Sequence, residues 1–167
     1  MSGRPSSGVS AEIRPALPDD LDGLVALENA AFSSDRLDRR ALRHALRSPT
    51  ILAHVAAGQN GDILGYVLVQ IRRGSALGWL TSVAVAPDAH GLGLGRRLVG
   101  VAEEATRAAG RRRIRLEVRA DNRPARDLYE SAGYARIAVV SDYYEDGEAA
   151  WRYEKTLVPE LGSERAA

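Results

Sequence analysis

Cysteine is absent from this chain of 167 residues. Disulfides, thiolate metal sites and a cysteine nucleophile are thereby excluded, and a reducing cytosol is permitted. An excess of one charge is also missing, since 23 Lys and Arg stand against 22 Asp and Glu for a net charge of +1. No global field recruits nucleic acid or an anionic membrane surface, so neither is an expected partner. No apolar run approaches the roughly 20 residues that span a bilayer. The start, Met1–Ser10, is rich in Ser, Gly and Pro and lacks the apolar stretch of a signal peptide. Residues 1–10 read as a loose tail, 159–167 read the same way, and a cytoplasmic location is expected. The span 11–158 has room for one core and one domain. A composition of 45% hydrophobic and 27% charged residues is ordinary for a globular protein. There is no internal repeat and no domain linker.

What is present is a clear alternation of periods. Glu12–Ala16 forms a short strand candidate ending at Pro18. Asp19-Asp20 then offers an N-cap, and Leu21, Leu24, Val25, Leu27 and Ala31 recur at helical spacing. A second helix is expected over Asp38–Arg47, stopping before Pro49. Strand-like runs follow at Ile51–Ala57, Ile63–Ile71 and Leu77–Ala86, the first two joined by the hairpin-type turn Gly58-Gln59-Asn60-Gly61. Leu94, Leu98, Val101, Ala102 and Ala105 mark one face of a helix that closes at Gly110. Arg113–Arg119 alternates, with Ile114, Leu116 and Val118 on one face and Arg113, Arg115, Glu117 and Arg119 on the other. A short helix over Asn122–Ser131 and strands at Tyr134–Val140 and Ala149–Leu157 complete the chain. The order implies a mixed α/β sheet with a β-α-β unit at its centre.

Between the third strand and its helix lies His90-Gly91-Leu92-Gly93-Leu94-Gly95-Arg96-Arg97. Glycines let the backbone approach a ligand, and free N–H groups at a helix start, with the helix dipole, make a cradle for pyrophosphate. Arg96 and Arg97 add positive charge. A P-loop needs Gly-Lys-Ser/Thr, which is missing, and the spacing G-x-G-x-G departs from the dinucleotide fingerprint G-x-G-x-x-G. Taken alone, the segment also fits a glycine-rich connection without a ligand.

The segment Ser82–Leu98 resembles the acetyl-CoA motif of the GNAT superfamily of N-acetyltransferases, usually written Gln/Arg-x-x-Gly-x-Gly/Ala. Gly93 and Gly95 fit it, and His90 stands where Gln or Arg is usual. Leu116-Glu117-Val118-Arg119-Ala120-Asp121-Asn122 and Leu128-Tyr129-Glu130-Ser131-Ala132-Gly133-Tyr134 resemble a second block, so the likeness covers Leu64–Leu157. Within the superfamily the chain is most similar to the ribosomal-protein alanine N-acetyltransferases and their protein N-terminal relatives. Leu-Glu-Val-Arg-Ala-x-Asn and Asp142-Tyr143-Tyr144 followed by Asp146-Gly147-Glu148-Ala149 carry that likeness. Phe32-Ser33-Ser34-Asp35-Arg36 lacks the usual Pro-Trp pair after phenylalanine.

The resemblance implies an α/β (α+β) fold with a mixed, mostly antiparallel sheet of about seven strands and about four helices. It implies direct acetyl transfer from acetyl-CoA to an amine within a ternary complex, with no metal. Backbone groups of Val83, Ala84 and Val85 would pair with the pantetheine arm, the Val85 amide facing the oxyanion. His90, Gly91, Leu92, Gly93, Leu94, Gly95 and Arg96 would surround the pyrophosphate, and Asn122 would meet the arm from the other side. Glu117 takes the general-base position and Tyr129 the general-acid position. Phe32, Tyr143 and Tyr144 are the candidates for holding the acceptor.

Each assignment has a plainer alternative. Glu117 reads also as a salt-bridged strand residue, with Arg115 and Arg119 as same-face neighbours lowering its basicity. Tyr129 reads as a packed aromatic, and Tyr143 and Tyr144 as loop aromatics over the core. His44 and His54 lack partners at metal-ligand spacing and read as structural, and Arg111-Arg112-Arg113 as a solvated helix end. The expected acceptor is a protein or peptide N-terminus. A small amine, an antibiotic or a lysine side chain is the alternative, and an acetyl-CoA-binding module without turnover is the non-enzymatic one. The chain is expected to act as a monomer or homodimer.

Overall fold

Alternation and helical spacing reappear as strands and helices close to the limits read from the sequence. A computed structural model describes residues 10–157, and the expected tails, Ser10 excepted, lie outside the described residues. In chain order the elements are β1 (Ala11–Pro15), α1 (Leu21–Ala31), α2 (Arg39–Arg47), β2 (Ile51–Gly58), β3 (Ile63–Ile71) and β4 (Leu77–Val85). They continue as α3 (Leu94–Ala108), β5 (Arg113–Arg119), α4 (Arg123–Ser131), β6 (Ala135–Val140) and β7 (Ala150–Thr156). Among the described residues the strands form one seven-stranded sheet in the order β1-β2-β3-β4-β5-β7-β6. β1–β2, β5–β7 and β6–β7 are antiparallel and β4–β5 is parallel, the mixed sheet the resemblance implied. Contacts divide the chain into two compact units. One reaches to Leu68 and takes in Ser82–Ala102; the other comprises Val69–Thr81 and the chain from Glu103 onward.

The core of the first unit is made by Leu24 and Leu27 of α1, Leu42 and Ala45 of α2, Val55 of β2, Tyr66 and Leu68 of β3, and Ala84 of β4. The three-residue spacing within each helix places these side chains on one stripe. Burying a leucine such as Leu42 contributes on the order of 2 kcal/mol. Asp38 caps α2 by accepting the Ala41 N–H at 2.8 Å. The capping role expected of Asp19-Asp20 does not form. Asp20 stands at the N-cap of α1 without a capping bond. Its carboxylate turns back to accept from Leu17 N–H at 2.7 Å and from the Arg14 guanidinium at 2.9 and 3.0 Å. A charged fork with two parallel bonds outcompetes a single bond to a helix N–H.

In the second unit, β5 buries Ile114, Leu116 and Val118 as its alternation predicts. Its register with β7 runs from Arg113 opposite Thr156 to Arg119 opposite Ala150. At Gly78 of β4 a Cβ would lie 2.6 Å from Cγ2 of Thr106, so glycine permits the close approach of α3 there.

Candidate active site

The glycine loop belongs to the first unit. β4 ends at Val85, Pro87–Ala89 forms a 3-10 turn, and α3 starts at Leu94. Gly91 and Gly93 have φ of +83° and +79°, and a Cβ built on either would meet nothing within 4 Å. Each is therefore open where a side chain would project, in a conformation that disfavours any side chain. With the first amides of α3 beside them, these residues fit a pyrophosphate. His90 donates from Nε2 to the Val85 carbonyl at 3.0 Å, which ties the loop to the strand end. Leu92 is exposed, as is Arg96, whereas Gly95 is partly buried. Leu94 and Ala84 are 4% and 5% exposed, so these two candidates can offer a ligand only their backbone. Val83 and Val85 are half-buried on β4. Phe32, the first residue after α1, is exposed.

Glu117, Tyr129, Asn122, Tyr143 and Tyr144 belong to the second unit. Glu117 lies opposite Arg152 in the β5–β7 register, and Arg152 donates to its Oε2 from Nε at 2.9 Å and from Nη2 at 2.5 Å. The Tyr143 hydroxyl also donates to Glu117, and that bond, with burial, pushes the tyrosine up to about 12. The arginines expected to crowd Glu117 are engaged elsewhere. Arg115 binds Glu154 at 2.8 Å, and Arg119 bridges Asp121 and Asp146 at 3.1 and 2.6 Å. Same-face neighbours along a strand stand about 6.8 Å apart, whereas a cross-strand partner is about 5 Å away, so β7 supplies the cation.

Tyr129 is 4% exposed, with its ring edge against Tyr134 at a centroid distance of 5.6 Å. Burial raises its pKa, so it keeps its proton. The Tyr129 hydroxyl makes no hydrogen bond among the described residues. Asn122 uses its carbonyl oxygen to cap α4, accepting from Ala125 N–H at 3.2 Å. Its amide nitrogen remains as a donor at an exposed position. Tyr143 and Tyr144 pack edge to face at 4.9 Å, and the Arg119 guanidinium lies 4.9 Å from the Tyr144 ring centroid. Both tyrosine N–H groups donate to the Glu148 carbonyl, fixing the turn before β7.

The structure thus brings together Glu117 and Tyr143, and it adds Arg152, which no local pattern in the sequence singles out. It also reveals a buried Glu28. That residue had a signal, being a carboxylate at the i+4 position from Leu24 on the apolar stripe of α1. His44 is exposed on α2, and burial lowers the pKa of His54 on β2. Among the described residues no group of three or more His, Asp or Glu is placed to hold a metal ion, and no helix is long and apolar enough to cross a membrane.

Comparison with known proteins identifies the family. The model of the acetyltransferase (GNAT) family matches residues 21–134. The chain belongs to that family and is an N-acetyltransferase. It is 36% identical over 149 residues to the N-terminal acetyltransferase A complex catalytic subunit NAA10 of Arabidopsis thaliana, covering 87% of this chain and 77% of the relative. It is 29% identical over 141 residues to a putative ribosomal protein bS18-alanine N-acetyltransferase of Bacillus subtilis, covering 84% and 91%. The ribosomal-protein-S18-alanine N-acetyltransferase of Escherichia coli superposes with a TM-score of 0.80 at 25% identity, covering 90% of this chain and 96% of that one.

Proposed function

We propose that the protein transfers the acetyl group of acetyl-CoA to the N-terminal α-amine of a protein. The observation that carries this reading is the hydrogen bond from Tyr143 to Glu117. It joins a residue expected to hold the acceptor to the residue expected to take its proton. The names of the relatives, which specify N-terminal and ribosomal-protein alanine acetylation, support the same acceptor.

In this reading the amine nitrogen attacks the thioester carbonyl, an N–C bond forms and the C–S bond breaks. Glu117 accepts the amine proton, directly or through a water. Tyr129, kept protonated by burial, donates to the departing sulfur. Backbone groups of Val83, Ala84 and Val85 hold the pantetheine arm, with the Val85 amide at the oxyanion. The loop His90–Arg96 receives the pyrophosphate, and the free amide nitrogen of Asn122 donates to the cofactor arm. Phe32, Tyr143 and Tyr144 hold the acceptor. A single domain over 11–158 is part of the proposal, supported by a family match whose span includes parts of both compact units. We place the enzyme in the cytoplasm, where newly made chains present free α-amines, acting as a monomer or homodimer.

The test is acetyl-CoA-dependent thiol release with paired peptides beginning in Ala or Ser, alike except for a free or blocked α-amine. Turnover confined to the free-amine member supports the reading. Release only with polyamines or aminoglycosides would replace the acceptor while leaving the transferase in place.

A further inference from the structure

The segment linking α1 to α2 is held at both ends by one residue. The Glu28 backbone carbonyl accepts Phe32 N–H at 3.1 Å. Its side-chain Oε2 accepts Leu37 N–H at 2.8 Å, nine residues further on. Inside this segment Asp35 adopts φ of +55°, a conformation that non-glycine residues rarely hold without support. Arg36 adds one exposed bond, to Asn29. The clamp itself is buried, with Glu28 only 2% exposed.

The other carboxylate oxygen of Glu28 faces β3. Tyr66, fully buried, donates its hydroxyl proton to Glu28 Oε1 at 2.6 Å. Burial, and then this bond, raise the Tyr66 pKa, so the hydroxyl remains a donor. Ser82 donates in turn to the Tyr66 oxygen. Ser82 is the β4 residue just before Val83, Ala84 and Val85. An ordered chain therefore runs from Ser82 through Tyr66 to Glu28 and on to the Leu37 amide. A carboxylate suits its end because it is an acceptor at both oxygens and meets a donor at each. Desolvating a carboxylate on a helix face that packs against apolar neighbours is expensive. Leucine at this position would continue the stripe, so packing alone does not account for Glu28.

We propose that Glu28 is a positioning residue for acceptor binding. It holds the Phe32–Leu37 segment in one conformation and ties that conformation, through Tyr66, to the Ser82 end of the thioester-binding strand. The inference rests on the proposed function in taking Phe32 as an acceptor contact and Val83–Val85 as the thioester strand.

The test is Glu28→Gln, read by two independent measurements. Glutamine has the same shape but one acceptor oxygen, so either Leu37 or Tyr66 loses its acceptor. Hydrogen exchange of the Leu37 amide reports the clamp without any substrate. Steady-state kinetics on whichever amine the wild-type enzyme acetylates report its consequence. The expected result is faster Leu37 exchange, an acceptor KM raised about tenfold, and an acetyl-CoA KM within about twofold of wild type. Tyr66→Phe, which leaves the Leu37 bond in place, should shift the acceptor KM less. A merely structural role predicts a common fall in kcat with unchanged KM values as folded protein is lost. That outcome, unchanged acceptor KM, or equal shifts in both KM values, overturns the inference. Choosing the acceptor from the wild-type result keeps the two readings apart: a small amine as the only substrate defeats the proposed acceptor, while the Glu28 comparison still proceeds on that amine.

Discussion

Arg152 grips a single oxygen of Glu117 from directly across the β5–β7 ladder, with Nε at 2.9 Å and Nη2 at 2.5 Å. The pair fixes the rotamer of the proposed base on a strand, a more rigid support than a loop. Glu117→Gln keeps the shape and removes the proton acceptor. It should lower kcat/KM by about 10²–10⁴-fold, the usual contribution of general acid–base catalysis. Arg152→Gln removes only the positioning charge and should lower kcat/KM about tenfold. Kinetics on both variants check the order of these effects, and a larger loss for Arg152→Gln would remove Glu117 from the base position.

Tyr129→Phe deletes a buried hydroxyl that bonds to nothing among the described residues, while the ring contact with Tyr134 survives. Thermal stability should therefore stay within about 1 kcal/mol of wild type, and kcat should fall about 10²-fold or more. Burial holds the Tyr129 pKa above its ordinary value of 10.0. The fold therefore favours the protonated form, and the stabilisation linked to it is present below pH 10.0 and is lost as pH rises through the folded value. Denaturant titrations at pH 8 and at pH 10.5 should show wild type weakening more than Tyr129→Phe. Equal weakening would contradict the burial assigned to this hydroxyl.

Asp20 has the opposite sign. Its bond to Arg14, ahead of its bond from Leu17 N–H, holds the carboxyl below its ordinary 3.8. The stability it contributes is present above pH 3.8 and is lost as pH falls through the lower folded value. Asp20→Asn should cost about 1–3 kcal/mol at pH 7, where a charge-assisted bond is lost, and should flatten the acid limb of the stability curve. Urea titrations at pH 7 and pH 3 measure both.

Gly93→Ala separates folding from ligand binding. The fold has open space for the new methyl, but φ of +79° strains it, at a cost of about 1–2 kcal/mol. Under the proposed function the acetyl-CoA KM should rise by more than that strain alone explains, because the methyl stands where phosphate oxygens approach the backbone. An unchanged acetyl-CoA KM would move the pyrophosphate away from this loop.

The elements were legible because their signals are local. Two-residue alternation over Arg113–Arg119 and helical spacing over Leu94–Ala105 each state a period within a few residues. The glycine-rich turn at 91–95 was read from composition alone, and the positive φ at Gly91 and Gly93 is what the structure adds. Local reasoning failed where two local options competed. Asp20 could cap α1 or pair with Arg14, and a charge-assisted fork decided the outcome.

Period and punctuation, properties of neighbouring residues, were legible in the sequence alone as seven strands, four helices and the glycine loop, while the candidate acid and base came with the family resemblance. Only the tertiary structure decided which cation meets Glu117, because strand register places Arg152, 35 residues away, nearer than Arg115 or Arg119. It likewise decided that Glu28 meets Tyr66 across 38 residues of chain. Pairings of this kind depend on how strands and helices pack, and the separation of residues along the chain carries no record of that distance.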